Sequence, residues 1–489
     1  MQPRDHRARS ERMGRDSIWG LIAKFSAPSI ISMTVGSTYN IVDTAFVGHL
    51  GRDPLSALVI VFPVMLIIMA LAIGTSVGSA SLIARRLGAG DHEGADRVAC
   101  TTITLTLIIG GLTTAICLPN LDGILRLVGA SPEVLPLARS YMSILLIFAF
   151  LNTFALTIPN VVRAQGSPTF PSVIMIVSAL VNIGLDPVFI YALDMGVQGA
   201  AVATAIARGV GTLLFVLYFV MGKTSFSFRL KYFAPNIRTV FEIYRIGLAS
   251  IVRMSGTSIA MTVSHRIALG FDANTLNVLG IIMRCFSVVI MPVVGLGQGT
   301  LPLIGYNFGA KQLARVGEVV VKSAKVALIW GIICSLVAFV IPTHVMSLFG
   351  SDGEFLRLGA YGLRIAGIGV IALVLMISLT NFFQGIGKGV ASLILTSTPD
   401  LLLWLPSVFV LTRLFGQNGL WMVFPVVDTI AVILTITWLT MTFRSLGIGF
   451  HRRYGGKSIG EPELSQNQSQ RLKQRQKAWT NHDTATNPT

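Results

Sequence analysis

The chain has 489 residues, of which 53% are hydrophobic and only 12% charged, with a mean hydropathy of +0.72. Soluble domains are about a quarter charged, so this composition excludes an ordinary soluble enzyme or nucleic-acid-binding module and points to repeated membrane spans. The formal charge of +16 does not reverse that reading, because Lys and Arg gather in the two tails and in alternate loops, as topology signals do.

Residues 1–17 are basic and polar, and the apolar run behind them is too long for a signal sequence, so it reads as an uncleaved first span. Within it, SIISMTVGSTYNIVDTAFVGHLG (29–51) carries a carboxylate, Asp43. Ser29, Ser32, Gly36, Tyr39 and Asp43, with Asn40 beside them, follow at steps of three and four, which lines small and polar groups along one helix face. A carboxylate in a span costs about 2.5–3.5 kcal/mol and normally faces a bundle interior or a water-filled cavity.

Twelve spans are predicted, at 18–48, 54–84, 98–119, 136–162, 168–193, 198–221, 243–271, 276–306, 319–345, 358–384, 390–415 and 419–446. The loops holding Arg85 and Arg86, Lys223 to Arg238, and Lys311 to Lys325 are basic, while those around Asp53, Asp122, Asp194 and Asp272 are not. The positive-inside rule then places both termini and the middle loop in the cytoplasm. The chain also repeats itself at an offset of 221 residues: Gly74, Gly78, Leu82, Ile83, Gly88 and Ala89 fall on Gly295, Gly299, Leu303, Ile304, Gly309 and Ala310. Six intervening spans give both copies the same orientation, hence a parallel repeat. The expected organisation is a basic tail (1–17), a first lobe (18–221), a cytoplasmic linker (222–242), a second lobe (243–446) and a polar, disordered tail (447–489).

Topology brings several intramembrane polar residues to one depth of the first lobe. Span one carries Asp43, span five Asn182 and Asp186 one turn apart, and span six Thr204 with Arg208 one turn deeper. Such oxygen ligands suit Na⁺ or a proton-carrying carboxylate. The plain alternative has Asp186 marking a kink before Pro187 and Asp43 bonding a neighbouring span; the repeat weighs against it, since these two map onto Ser264 and Ser407. Arg208 stands open between pairing with Asp43 or Asp186 and pairing with an unrelated acid or a backbone carbonyl. In the second lobe, Arg253 and Arg266 are expected to snorkel, whereas Arg284 is expected to face the interior, in packing or in substrate contact. The pairs Gly74/Gly78 and Gly295/Gly299 read as small-residue helix contacts. The four cysteines have no metal-type spacing and read as buried thiols. No nucleophile–base pair, metal-ligand cluster or Walker loop is visible, which argues against an enzyme and against ATP as energy source.

YNIVDTAFVGHLG (39–51), ARRLGAGD (84–91), IIMRCFSVVIMPVVGLGQGTLPLIGYNFGA (281–310) and FFQGIGKG (382–389) together resemble the multidrug and toxic compound extrusion (MATE) family, DinF-type branch, over nearly all of 18–446. The resemblance implies an all-α membrane protein of twelve transmembrane helices in two six-helix lobes. It also implies an antiporter of the bacterial inner membrane that expels organic, amphipathic cationic compounds by alternating access. Exchange would be for H⁺ or Na⁺, with no other cofactor; the expected partners are small organic molecules and the bilayer, without nucleic acid, the chain acting as a monomer. The family's first-lobe cation site maps onto Asp43, Asn182, Asp186 and Thr204, with Tyr39, Asn40, Asn160, Arg208 and Arg284 as cavity or modulating candidates. The other branch's acidic site has no clear counterpart, Ser264 and Asn381 or Gln384 occupying that neighbourhood, and Arg208 and Asp400 depart from the family's usual residues. A flippase for a lipid-linked oligosaccharide or peptidoglycan precursor, holding pyrophosphate on Arg208, Arg253 and Arg284, is the alternative; a non-transporting receptor is a third reading.

Overall fold

A computed structural model describes residues 10–350 and 353–448, apart from the side chains of Asn40, Ile41, Arg52 and Ala273. The described residues contain no strand. The first lobe comprises α1 (Ile18–Gly48), α2 (Arg52–Gly88), α3 (His92–Cys117), α4 (Leu135–Ile147 and Ala149–Ala164), α5 (Thr169–Ala192) and α6 (Gly196–Val220). The second comprises α7 (Ile237–Leu269), α8 (Ala273–Gly309), α9 (Leu313–Val340), α10 (Gly353–Gly385), α11 (Gly389–Phe415) and α12 (Gln417–Leu446). Eleven helices are long and apolar enough to cross a membrane, and the two halves of α4, bent by 57°, make the twelfth span. Large apolar side chains such as Val59, Ile67, Leu213 and Ile333 stand exposed on the bundle, a surface that bilayer hydrocarbon covers.

The repeat is visible in the turns. Asp91 caps α3 by accepting the Gly94 N–H at 2.8 Å, and Gly90 before it is left-handed, at φ +78°. Lys311, 221 residues on, takes the same left-handed backbone, at φ +58°, before α9. The fifth span of each lobe carries a π-helical turn beside a proline: Val188–Ala192 after Pro187 in α5, and Thr398–Leu403 around Pro399 in α11. A proline withholds a donor from the helical ladder, and a π-turn is one way to absorb the loss.

The predicted spans match these helices, with two departures. The span expected at 136–162 is broken at Phe148, whose backbone (φ −99°, ψ 21°) leaves the helix. Gly110 on α3 lies so close to Phe150 that a Cβ there would collide with its backbone, and the Thr114 hydroxyl donates to the Leu146 carbonyl freed by the bend. The break is therefore stabilised from α3, which local pattern does not reveal. Second, α2 and α8 each run for 37 residues, about 55 Å at 1.5 Å per residue, well beyond the hydrocarbon core. Residues 10–15 are also helical, with Met13 fully buried and its carbonyl accepting from Asn307 Nδ2 at 3.0 Å. The tail reading for 447–489 falls almost wholly outside the described residues, and all four cysteines are free thiols.

The lobes meet where α2 packs along α7 and α1 along α8. Glycines form this seam. A Cβ at Gly74 would meet the Gly247 carbonyl oxygen at 2.9 Å, one at Gly78 would collide with the Ile243 carbonyl, and one at Gly295 would stand 2.7 Å from Ile30 Cα. Gly299 abuts Phe25 and Ser26 in the same way. Thr75 Oγ1 and Tyr244 OH, 3.0 Å apart, and the Arg86–Glu242 ion pair at 3.1 Å also cross it. These contacts all lie in the half of the bundle that carries the described ends, Ser10 and Ile448. Gly78→Ala should overpack the seam by about 1–3 kcal/mol and lower the unfolding temperature of detergent-purified protein. Gly111→Ala, where a Cβ meets open space, should change it little.

Candidate functional site

Helices α1, α5 and α6 bring a polar cluster together in the first lobe. The π-turn of α5 sets the geometry. Tyr191, on that turn, donates its hydroxyl to the Phe46 carbonyl of α1 at 2.6 Å, and the two rings lie edge to face at 6.2 Å. Gly199 allows the start of α6 to rest on the Phe189 and Ile190 backbone. One turn inward from these clamps stand Asp43 and Asp186, with Asn182 a turn beyond Asp186 and Thr204 on α6 beside it.

Asp186 is fully buried, Asn182 is 2% exposed and Asp43 9%. Asn182 Nδ2 donates to Asp186 Oδ1 at 3.3 Å and to Thr204 Oγ1 at 3.4 Å. Asp43 and Asp186 are within electrostatic reach of each other. Asp43 Oδ1, Asn182 Oδ1 and Asp186 Oδ2 are each buried without a hydrogen-bond partner among the described residues. Native proteins rarely bury such oxygens unmatched. Three acceptors in one apolar lobe, two of them on carboxylates, present a place for a proton or a small hard cation. Beside them, a pocket opens between α1, α4, α5 and α6, lined among others by Gly36, Tyr39, Met175, Asn182, Thr204 and Arg208.

The MatE family profile matches residues 28–188 and again 249–410, two copies that begin 221 residues apart. The chain belongs to the MatE family. It is 27% identical over 428 residues, 86% of this chain and 93% of the relative, to the multidrug export protein MepA of Staphylococcus haemolyticus. An outward-facing structure of a multidrug resistance MATE family transporter of the MOP superfamily matches with a TM-score of 0.85 at 30% identity, over 89% of this chain and 98% of that one. A MOP superfamily transporter from Pyrococcus furiosus, described as having a binding pocket of reversed polarity, matches with a TM-score of 0.84 at 29% identity, over 90% and 98% of the two chains. This MatE protein is thus a multi-pass membrane transporter and not an enzyme, with the two-lobe fold expected of it.

Within this MatE fold, the structure brings Asp43, Asn182, Asp186 and Thr204 together as their sequence positions predicted. The remaining candidates behave differently. Arg208 pairs with neither carboxylate: its Nη2 donates to Tyr39 OH at 2.8 Å and the guanidinium sits 6.0 Å from that ring's centre. Among the described residues its partner is thus neither an acid nor a backbone carbonyl but Tyr39, one turn from Asp43. Asn160 belongs elsewhere: its Nδ2 donates to Ser76 Oγ at 2.8 Å and its Oδ1 accepts from Arg163 Nη1 at 2.7 Å. Arg163, 1% exposed, also donates to Gln298 Oε1 of the second lobe at 2.6 Å, so this pair ties the lobes together. Arg284 is exposed, and the Asn40 side chain lies outside the described residues.

Sequence reasoning missed Tyr141 of α4, which is buried and within electrostatic reach of Asp43, Tyr39 and Asp186. Its one signal is a phenol within a membrane span. Arg208→Met should lower stability by about 1.5–3 kcal/mol, the value of one hydrogen bond to a charged group. Stranding a buried carboxylate by breaking an ion pair would cost about 3–5 kcal/mol. Thermal melts of Arg208→Met and of Arg208→Met with Tyr39→Phe should give nearly the same loss, since both remove one contact.

Proposed function

We propose that the protein is a cation-coupled multidrug efflux antiporter that exports organic, amphipathic cationic compounds by alternating access. The observation that carries this reading is the set of three buried oxygens on Asp43, Asn182 and Asp186 that have no hydrogen-bond partner among the described residues. The coupling ion is H⁺ or Na⁺, and no other cofactor is required. The relatives named as multidrug exporters support the substrate class.

The half of the bundle carrying the described ends also carries Arg85, Arg86, Lys311 and Arg315, and by the positive-inside rule it faces the cytoplasm of a bacterial inner membrane. The glycine seam then closes the cytoplasmic side, in keeping with the likeness to an outward-facing transporter. A cation entering from outside would settle among Asp43, Asn182, Asp186 and Thr204 and change the charge at the wall of the pocket that Tyr39 and Arg208 line. An organic cation held in the first lobe would lose affinity when the carboxylates are neutralised. The ion can expel it only by as much as the drug's affinity differs between the two states, about 1.4 kcal/mol for each tenfold.

The test is efflux of a fluorescent organic cation from proteoliposomes under an inward H⁺ gradient or an inward Na⁺ gradient at fixed pH. Wild type should respond to one of the gradients, and Asp43→Asn should lose at least about tenfold of that response while keeping its thermal stability. A full response in Asp43→Asn would remove this site from coupling.

A further inference from the structure

Two acids of the second lobe, Asp400 on α11 and Asp428 on α12, lie outside the site described above. Asp400 sits in the π-turn Thr398–Leu403, and Gly256 of α7 lets that turn approach closely. A Cβ at Gly256 would stand 2.9 Å from Leu401 Cγ and 3.3 Å from Asp400 Cβ. The neighbouring Thr257 donates its hydroxyl to Asp400 Oδ2 at 2.7 Å. Asp428 is 5% exposed and within electrostatic reach of Asp400. No hydrogen bond or ion pair reaches its carboxyl from the described residues.

The two acids form one layer of a stack. Trp404, one turn beyond Asp400, meets Phe424, one turn before Asp428, edge to face at 4.9 Å, and Phe424 packs on Phe286 of α8 at 4.8 Å. This aromatic layer walls the carboxyls on one side. Arg253 of α7 is within electrostatic reach of Asp400 without forming an ion pair. Helix α10, packed along α12, has no Asp, Glu, Lys, Arg or His between residues 365 and 385, and α8 has only the exposed Arg284. Thr257 thus gives Asp400 a hydrogen-bond donor, whereas no donor from the described residues reaches Asp428.

We propose that Asp400 and Asp428 form a proton-binding pair in the second lobe, distinct from the first-lobe cluster. Two neighbouring carboxylates in a low-dielectric interior cannot both be ionised, so one proton is retained by the pair. It rests on Asp428, which has no donor to stabilise an anion, and leaves by transfer to the half-buried Asp400 carboxylate, which becomes the carboxylic acid as Asp428 becomes the anion. Each lobe would then hold its own titrating acids next to the π-turn of its fifth span.

Dicyclohexylcarbodiimide, which modifies protonated carboxyls in apolar surroundings, tests this on the purified full-length protein, with adducts located by mass spectrometry. Wild type should carry an adduct on Asp428 that declines as pH rises and is unaffected by Na⁺. Asp43→Asn should carry the same adduct, so failure of the first-lobe site leaves this result unchanged. In Asp400→Asn, loss of the like charge should move the decline to lower pH, a shift that a packing role would not produce. No adduct on Asp428 at any pH, suppression by Na⁺ at fixed pH, or an unmoved profile in Asp400→Asn would each overturn the proposal. The wild-type map needs no variant to fold.

Discussion

The lobes of this protein touch through backbone. In hydrocarbon, a helix satisfies its own amides and carbonyls, so two helices approach closely only where neither presents a side chain. Gly74, Gly78, Gly247, Gly295 and Gly299 supply that surface along α2–α7 and α1–α8. Everything else is arranged around the seam. It joins the lobes in the half that carries the described ends, and the added polar contacts, Thr75 with Tyr244 and Arg86 with Glu242, are ones that water can replace when the lobes part. A junction made of small residues and exchangeable bonds suits a protein proposed to open alternately to either side.

The repeat carries the scaffold but not the chemistry. Turns and seam glycines recur at corresponding places in both lobes, and each fifth span carries a π-turn at its own position, whereas Asp43 and Asp186 fall on Ser264 and Ser407. In the second lobe Ser264 does structural duty, accepting from Trp404 Nε1 at 2.8 Å. Its acids stand instead at Asp400 and Asp428. The two clusters differ in how they are supported. The first has an amide and a hydroxyl bonded around its acids, and the second a single threonine, a distant guanidinium and an aromatic wall.

Much of the first-lobe site is legible in the sequence. Asp43, Asn182, Asp186 and Thr204 each sit on an otherwise apolar span, and the alternation of span direction sets their depth, so their meeting follows from counting residues. Arg208 was legible as a charge in the lobe, but its partner was not. Reach along a flexible side chain depends on which neighbour intervenes, and here Tyr39 does. Tyr141 and Asp428 escaped for a related reason. Each gains meaning only through neighbours on other helices, Asp43 and Asp186 for Tyr141 and Asp400 for Asp428.

By itself the sequence determined the membrane class, the twelve spans, the doubled architecture and the family, because these rest on hydropathy, period and spacing, which are properties of the chain taken locally or at a constant offset. The tertiary structure alone decided which polar groups lack partners, where α4 bends, that Asn160 serves the Arg163 bridge between lobes, and that Arg284 is exposed. Those outcomes depend on distances between residues far apart in the chain. Burial and hydrogen bonding are set by the neighbours a residue acquires on folding, and no local pattern records them.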